Sequence, residues 1–340
     1  MSTSINSFNT LVSALLPLPK PRSPPSPTLI STLTSLHSLA TTYILNPHQS
    51  VATTQHATTE LRTRCSPWLV KVLAVLTEEE EEEEEGGVDA ERTVTLAAEL
   101  LSILAGRAAM TAVEREWVFE NAGELSVREM GFGDAGLGFQ TWGAGVVLAR
   151  LLDSGSLPLN NASRVLELGS GTGLAGLVCA RIGQEAAAKR STDFRITMTD
   201  YDSTVLSNLV HNAASNDLTT TVAVHKLDWT DGVMWDSHPT QQQEYPLIIA
   251  SDCAYDISHA RHIPRVVDSY LAKHTPHARF WCVLPVRNRF DGELEAFVKA
   301  MRASSQLVKV ADQCRTIVYD DDVEYRVLCY RRPVITDSIV

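Results

Sequence analysis

The segment 165–173, with the sequence VLELGSGTG, constrains the fold more than any other part of the chain. Apolar residues typical of a buried strand run into three glycines spaced by small polar residues, and an apolar, helix-like stretch follows. Glycine allows a sharp turn and a close approach of the backbone to a ligand. We therefore expect a strand–turn–helix unit whose turn holds backbone N–H groups against a nucleotide-type ligand. A purely structural turn is the alternative, but it would not need so many glycines.

Short β-rich and helical segments alternate along the chain from Arg164 onward. Strands are predicted at 164–168, 194–199, 220–226, 247–251 and 280–286, and helices at 174–182, 203–216, 263–273 and 292–303. Segments 307–312, 316–319 and 325–330 can supply further strands near the end of the chain. This alternation predicts an α/β domain with a mostly parallel sheet.

The first 124 residues have a different pattern. Six prolines between positions 17 and 27 exclude a helix there, whereas 28–45, 59–77 and 90–113 carry apolar residues at helical spacing. Eight consecutive glutamates at 78–85 supply most of the net charge of −12. Since like charges repel, we expect a disordered acidic loop at 78–88. The predicted organisation is a helical N-terminal region, 1–124, followed by an α/β domain, 125–340, which opens with a strand at 125–132 and a helix at 142–152.

Composition favours some classes of partner over others. The acidic balance argues against a direct nucleic-acid partner, because phosphate binding needs clustered Lys and Arg. No segment approaches the roughly 18 apolar residues of a membrane span. The six cysteines form no Cys-x-x-Cys pair, which is typical of reduced thiols and not of a zinc site or a disulfide framework. We therefore expect a cytoplasmic protein with no bound metal and no membrane partner.

Acidic residues stand at the ends of several predicted strands, where an α/β sheet opens toward its ligand. Asp200, at the end of the second strand, can accept hydrogen bonds from both hydroxyls of a ribose, while Asp202 is the better cap for the next helix. Asp228 and Trp229 follow the third strand, where they can hydrogen-bond an adenine edge and stack on its face. Helix capping and rim packing are the structural alternatives for these residues.

A carboxylate and an aromatic hydroxyl follow the fourth strand, at Asp252 and Tyr255. This pair is a plausible acceptor site for a nucleophile, with helix capping as the alternative for Asp252. Nucleic-acid amino methyltransferases usually carry two prolines between such residues. The Cys253-Ala254 found here speaks against a base amine as acceptor. His259 and His262 lie nearby, where surface or packing roles are favoured over proton acceptance.

The glycines alone leave two cofactors open. The segment 171–176 fits the GxGxxG pattern of dinucleotide-binding folds, and Asp200 would serve NAD and S-adenosylmethionine alike. However, Glu167 precedes the first glycine, where dinucleotide folds usually have an apolar residue, and no Ser/Tyr-x-x-x-Lys constellation follows. An acidic residue before three alternating glycines is typical of class I methyltransferases, so S-adenosyl-L-methionine is the favoured cofactor.

The combined motifs resemble the seven-strand protein lysine methyltransferases of methyltransferase family 16. That family has a Glu-Leu-Gly-x-Gly-x-Gly loop, an Asp-Trp after the third strand, and an Asp/Glu-x-x-Tyr/Phe after the fourth, as at Asp252 and Tyr255. It also has a tryptophan before the glycine loop, matched by Trp142 in GFQTWGAG. The match covers about residues 125–330. It implies a Rossmann-like class I methyltransferase fold with a mostly parallel seven-stranded sheet.

The resemblance also implies a function, an S-adenosylmethionine-dependent protein-lysine N-methyltransferase. The cofactor-binding residues would be Trp142, Glu167, Gly169, Ser170, Gly171, Gly173, Asp200, Asp228, Trp229 and Ser251, the last through its backbone. Asp252 would orient the target lysine, and Tyr255 would wall its channel. The helical N-terminal region is similar to the fungal branch that methylates translation elongation factor 2, the favoured substrate. The alternatives are a methyltransferase for another protein or a small molecule, a NAD-dependent oxidoreductase, and an inactive binding protein.

Overall fold

The computed structural model describes residues 2–21, 25–45, 51–77, 87–105, 112–131, 138, 140–160, 162–230, 244–254, 257–286, 291–304, 306–319 and 323–333. The glutamates 78–85 of the predicted acidic loop and the predicted acceptor residue Tyr255 lie outside these ranges. The chain divides into two compact units, formed mainly by Met1–Arg115 and by Glu116–Met130 with Asp134–Val340.

The described part of the N-terminal unit is helical. Its helices are α1 (Ser2–Ala14), α2 (Pro27–Ala40), α3 (Val51–Thr77) and α4 (Gly87–Ala105), with a π-helical turn at Thr41–Leu45 after α2. Helix α2 begins after Ser26, whose Oγ accepts the Leu29 N–H at 3.1 Å. The core of this unit is made of apolar side chains from its helices, including Phe8, Leu33, Leu61, Leu69 and Leu100.

Two parts of this unit differ from the sequence prediction. Helix α1 was not predicted, because its Ser, Thr and Asn residues intrinsically favour caps and turns. The helix predicted at 90–113 ends at Ala105, and Val113 instead begins a strand. That strand, β1 (Val113–Phe119), forms a two-stranded sheet with β2 (Gly123–Glu129). Only the second of these strands was expected.

Within the described residues, the central sheet of the second unit has eight strands. They are β3 (Arg164–Leu168), β4 (Arg195–Asp200), β5 (Val222–Lys226), β6 (Leu247–Ser251), β7 (Arg279–Pro285), β8 (Val308–Lys309), β9 (Arg315–Tyr319) and β10 (Val323–Arg331). Their order is β5-β4-β3-β6-β7-β10-β8, and β9 pairs with β10. Strands β3 to β7 are parallel, while β10 is antiparallel to each of its neighbours.

The predicted Rossmann-like fold class is confirmed, with eight strands in place of the expected seven. The difference arises near the end of the chain, where β8 and β9 are separated by the 3-10 turn Ala311–Gln313 and both pair with β10.

Helices cover both faces of the sheet. They are α5 (Gly143–Asp153), α6 (Leu174–Arg190), α7 (Ser203–Ser215), α8 (Ile257–Tyr270) and α9 (Asp291–Ala303). Side chains of a strand alternate between its faces. Val165 therefore joins the core formed with α5, α6 and α7, while its neighbour Leu166 joins the core formed with α8 and α9. Burial on both faces explains why the central strands β3, β6 and β7 are largely apolar.

The strand order reverses between β3 and β6. The chain moves outward from β3 through β4 to β5 and then returns to place β6 on the other side of β3. Ligands of open α/β sheets bind at such a reversal, outside the carboxyl ends of the strands. Among the described residues, the predicted site residues at the ends of β3, β4, β5 and β6 therefore lie together at the carboxyl ends of these strands. In the described ranges, no helix combines the length and apolar character needed to cross a bilayer.

Candidate active site

The glycine turn after β3 is fastened to the neighbouring strand β4. Ser170 donates its backbone N–H to the Thr199 carbonyl at 2.9 Å, and its Oγ accepts the Thr199 N–H at 3.1 Å. Thr199 Oγ1 in turn donates to the Glu167 carbonyl at 2.6 Å. These bonds fix where the strand ends and where the turn begins.

The three glycines of the turn all have left-handed backbone angles, with φ of +63° at Gly169, +53° at Gly171 and +85° at Gly173. Their surroundings differ. A Cβ on Gly171 would meet no described atom within 4 Å, so this part of the backbone is open to a ligand. A Cβ on Gly169 would lie 3.3 Å from the Trp229 ring, and one on Gly173 would collide with Met198 and Leu209. Gly173 therefore serves the packing behind the turn.

Asp200 ends β4 beside this turn. Its carboxylate accepts backbone N–H groups from Gly171 at 3.2 Å, Tyr201 at 2.8 Å and Asp202 at 3.4 Å. Burial raises the pKa of the Asp200 carboxyl, and these N–H donors oppose the rise. Asp202 caps α7 as predicted, because its Oδ1 accepts the N–H groups of Thr204 and Val205. Asp200 is thus held in place while still lining the adjoining cavity.

Glu167 is the most deeply buried carboxyl of the site, with 2 % of its surface exposed. Burial raises its pKa from 4.5 to about 8, with a smaller contribution from the nearby Asp200 charge. The residue is therefore mostly protonated at neutral pH. A Cβ at Gly176 on α6 would collide with Glu167 Oε2, which explains the glycine at that position.

The carboxyl end of β5 brings Asp228 and Trp229 to the same edge. Asp228 Oδ1 accepts the backbone N–H of Thr230 at 2.8 Å and its hydroxyl at 2.6 Å. These two bonds hold the pKa of Asp228 below its usual range. Trp229 packs edge-to-face on His259 of α8, with ring centroids 5.3 Å apart. His259 and His262 both line the cavity, and His259 does so while packing against the tryptophan.

The carboxyl end of β6 carries Ser251 and Asp252. Asp252 has a left-handed φ of +48°, a conformation that costs a non-glycine residue about 1 kcal/mol or more and tends to occur at functional sites. Its N–H donates to the Val283 carbonyl at 3.0 Å. Behind it, the buried thiols of Cys253 and Cys282 lie 3.7 Å apart, and burial raises the pKa of Cys282.

The remaining wall of the cavity comes from the segment before α5. Trp142 stands at the N-cap of this helix with 37 % of its surface exposed. The preceding Thr141 donates its N–H to Glu129 Oε1 at 3.0 Å, and its Oγ1 lies 2.7 Å from Thr172 Oγ1 of the glycine turn. A Cβ on Gly145 would lie 3.5 Å from Ser251 Oγ, so the first turn of α5 approaches the end of β6 closely.

These segments enclose one cavity of about 620 Å³. Most of the predicted site residues line it: Trp142, Glu167, Gly169, Ser170, Gly171, Asp200, Asp228, Trp229, Ser251 and Asp252. Gly173 does not line it, and Tyr255 lies outside the described residues. Lining residues that the sequence analysis did not assign to the site include Gln140, Thr141, Thr172 and Tyr201. Three of them are adjacent in sequence to a predicted site residue, and Gln140 lies two positions before Trp142. Proximity to the motifs was therefore the available signal.

The cavity suits a nucleoside cofactor. Its volume lies in the range of about 300–1,000 Å³ that small-molecule sites occupy. The open backbone at Gly171, the Asp200 carboxylate and the Trp229 ring offer the contacts that a ribose and an adenine need. Among the described residues, no group of His, Cys, Asp and Glu could hold a metal ion.

Fold and site together define an α/β enzyme with a nucleotide-type cofactor at the topological switch point of its sheet. The family model described as "Lysine methyltransferase" matches residues 120–303. The chain is 30 % identical over 245 residues to protein-lysine N-methyltransferase rrg1 of Schizosaccharomyces pombe, covering 70 % of this chain and 74 % of the relative. It is 25 % identical over 252 residues to protein-lysine N-methyltransferase EFM2 of Saccharomyces cerevisiae, covering 69 % and 58 %.

The chain belongs to the lysine methyltransferase family. It is a protein-lysine N-methyltransferase, and its cofactor is S-adenosyl-L-methionine. Family membership thus decides between the two cofactors that the glycine pattern had left open. Among solved structures, the 16S rRNA N2 G1207 methyltransferase RsmC of T. thermophilus is similar at 17 % identity and a TM-score of 0.42, covering 66 % of this chain and 51 % of that one. This likeness is too distant to bear on the function.

Proposed function

We propose that the cavity along the ends of β3 to β6 is the methyl-transfer site, and that Asp252 orients the target lysine within it. The observation that supports this proposal is the convergence of the glycine turn, Asp200, Asp228 and Asp252 on one cavity. The cofactor supplies an electrophilic methyl group on a sulfonium centre. Glu167, the backbone of Gly171 and Asp200 would hold its nucleoside part, with Trp229 against the adenine.

The chain's main task in such a transfer is alignment of the amine with the methyl group. A free lysine has a pKa of about 10.4, so fewer than about one in a thousand is neutral at pH 7. An apolar channel disfavours the ammonium, and a carboxylate beside the nitrogen holds the hydrogens that remain on the neutral amine. Asp252, at the carboxyl end of β6, would supply that carboxylate, and Tyr255 would line the channel.

The lysine belongs, in this proposal, to a translation elongation factor, with elongation factor 2 favoured. The resemblance of the motifs and of the helical N-terminal region to the fungal elongation factor methyltransferases supports this choice. A cytoplasmic location is part of the same proposal. The six cysteines are all free, as expected in a reducing compartment.

Transfer of a labelled methyl group tests both parts of the proposal. The purified chain and its Asp252→Asn variant are incubated with labelled S-adenosylmethionine and a lysate from a strain lacking this gene. In parallel, both are incubated with purified elongation factor 2. We expect one labelled protein of the size of elongation factor 2, with the label on lysine by mass spectrometry, and little label with the variant.

The possible failures are distinguishable. A different labelled protein would overturn the elongation factor assignment and leave the cavity assignment standing. Full labelling by the Asp252→Asn variant would overturn the role of Asp252 while leaving the substrate intact.

A further inference from the structure

Strand β2 is attached to α7 by asparagine side chains. Asn208 and Asn212 on α7 and Asn216, the residue that follows this helix, stand four residues apart and are all buried. A primary amide carries an acceptor and two donor hydrogens, so it can replace the peptide group of a neighbouring strand. Four helical residues advance about 6 Å, close to the roughly 6.7 Å that two strand residues advance. Asparagines at this spacing can therefore pair with alternate residues of a strand.

The hydrogen bonds between the asparagines and β2 have this spacing. Asn216 accepts the Ser126 N–H at 2.9 Å and donates to the Ser126 carbonyl at 2.7 Å. Asn212 does the same with Arg128, accepting its N–H at 2.9 Å and donating to its carbonyl at 3.2 Å. The two amides thus extend the hydrogen-bonding edge of β2.

Asn212 makes one further bond that Asn216 does not. Its Nδ2 also donates to the carbonyl of Thr172, in the glycine turn, at 2.9 Å. Thr172 Oγ1 is hydrogen-bonded to Thr141 Oγ1, and the Thr141 N–H returns to Glu129 Oε1 on β2. The result is a closed ring of buried hydrogen bonds that joins β2, α7, the glycine turn and the segment before α5.

The ring has two members in the cavity and two behind it. Thr141 and Thr172 line the cavity from different segments, whereas Asn212 and Glu129 do not line it. Asn212 is fully buried and Glu129 is 5 % exposed. These two residues therefore fix the separation of the two cavity segments without contacting a ligand.

We propose that Asn212 and Glu129 are positioning residues for cofactor binding, acting through the Thr172 carbonyl and the Thr141 N–H. The proposal rests on the assignment of the cavity as the S-adenosylmethionine site. When Asn212 is truncated, the Thr172 carbonyl loses its buried donor and the glycine turn can shift relative to Thr141 and Trp142. Part of the binding free energy of the cofactor must then be used to restore the position of the glycine turn. This raises Kd and KM for the cofactor, while the reacting groups are unchanged.

The matched pair Asn212→Ala and Asn216→Ala tests this role. Each variant loses two bonds to β2, at Arg128 for Asn212→Ala and at Ser126 for Asn216→Ala. Asn216→Ala also loses the bond from its Nδ2 to the Asn212 carbonyl at 2.7 Å, but only Asn212→Ala loses the bond to the glycine turn. We expect both to unfold at a lower temperature than the wild type. Calorimetry with S-adenosylhomocysteine should give a Kd about tenfold higher for Asn212→Ala and within twofold of wild type for Asn216→Ala. The KM for S-adenosylmethionine should rise likewise, with kcat changed less than about threefold.

Two further variants keep the outcomes separate. Glu129→Ala acts from the opposite side of the ring and should also weaken binding, which decides the question if Asn212→Ala does not fold. Asp200→Ala tests the cavity assignment itself. If Asp200→Ala weakens binding while Asn212→Ala and Glu129→Ala only lower the unfolding temperature, the positioning role is overturned. If Asp200→Ala binds like the wild type, the cavity assignment fails first.

Discussion

Two of the walls of the cavity are built differently. The β3–β4 wall, comprising Glu167, the turn 169–173 and Asp200, is tied together by hydrogen bonds between adjacent strands. The β5–β6 wall comprises Asp228, Trp229, Ser251 and Asp252. Asp228 is bonded to its own turn at Thr230, and Asp252 has a left-handed backbone conformation.

The difference indicates that the two walls have different functions. A cofactor of fixed shape gains affinity from a wall that needs no rearrangement on binding. In the proposed mechanism, the carboxylate that meets the lysine is that of Asp252, directly after β6. We therefore expect substitutions in the β3–β4 wall to change cofactor affinity, and those in the β5–β6 wall at Asp252 to change turnover.

The largest effect is expected at Asp252. The variant Asp252→Asn keeps the shape of the side chain but removes the charge that would orient the amine. Methyl transfer should fall by about a hundredfold or more, the order of loss expected when the reacting groups are misaligned. Kd for S-adenosylhomocysteine should stay within twofold of the wild type. Single-turnover methyl transfer and calorimetry measure the two quantities.

Asp217 provides the matched control for this variant. It is another aspartate with a left-handed backbone, at φ +58°, but it follows α7 away from the cavity. Asp217→Asn should therefore leave turnover unchanged. Weakened cofactor binding in Asp252→Asn, with normal turnover at saturation, would contradict the proposed division between the walls.

The second effect concerns Asp200. Asp200→Ala removes a carboxylate that suits two ribose hydroxyls, each a charged hydrogen bond of roughly 1.5–3 kcal/mol. We expect Kd for S-adenosylhomocysteine to rise about 30-fold, because part of this energy is offset by desolvation of the carboxylate. Turnover at saturating cofactor should change much less. The exposed Asp193, which precedes the other end of β4, serves as the control through Asp193→Ala.

The third test uses the raised pKa of Glu167. The folded protein keeps this proton up to about pH 8, whereas an unfolded chain releases it near the ordinary value of 4.5. The unfolded state therefore binds fewer protons in this window, and the free energy of unfolding falls as the pH rises through it. The variant Glu167→Gln has no carboxyl to titrate at this position, so this fall in the free energy of unfolding is removed.

Thermal unfolding without cofactor between pH 5 and pH 8 measures the effect. We expect the wild type to lose a few degrees relative to Glu167→Gln across this range, with Glu185→Gln, on the exposed side of α6, following the wild type. If the pH profiles of wild type and Glu167→Gln are parallel, the Glu167 carboxyl has an ordinary pKa in the folded protein. The β3–β4 wall would then contain no buried protonated carboxyl at neutral pH.

In both walls, the strand ends could be predicted from sequence. The β3 strand and the end of β6 have the predicted bounds, because short apolar runs buried on both faces end at polar or glycine residues. The glycine turn follows β3, and Asp200 ends β4. Because parallel neighbouring strands place their carboxyl ends side by side, the proximity of the turn to Asp200 follows from strand order alone.

What could not be predicted depends on contacts between distant segments. The bond between Thr141 and Thr172 and the ring through Asn212 join four separate parts of the chain. Their signal in the sequence was weak but present: Asn208, Asn212 and Asn216 form a polar row at helical spacing along α7 and the residue that follows it, and the other buried residues of α7 are apolar. Buried asparagines at that spacing indicate a partner with free peptide groups. The partner, β2, could not be identified without the fold.

The smallest effect is expected at Asp228. Its Oδ1 is already engaged by Thr230, and the residue is partly exposed to solvent, where screening weakens any charge interaction. Asp228→Ala should therefore raise Kd for S-adenosylhomocysteine by only about threefold. If the remaining contact is a surface charge interaction, this difference should shrink further as salt is raised from 0.05 to about 0.5 M. A loss as large as that of Asp200→Ala would mean that the end of β5 binds the cofactor as tightly as the glycine turn, and the contrast between the walls would then be confined to the end of β6.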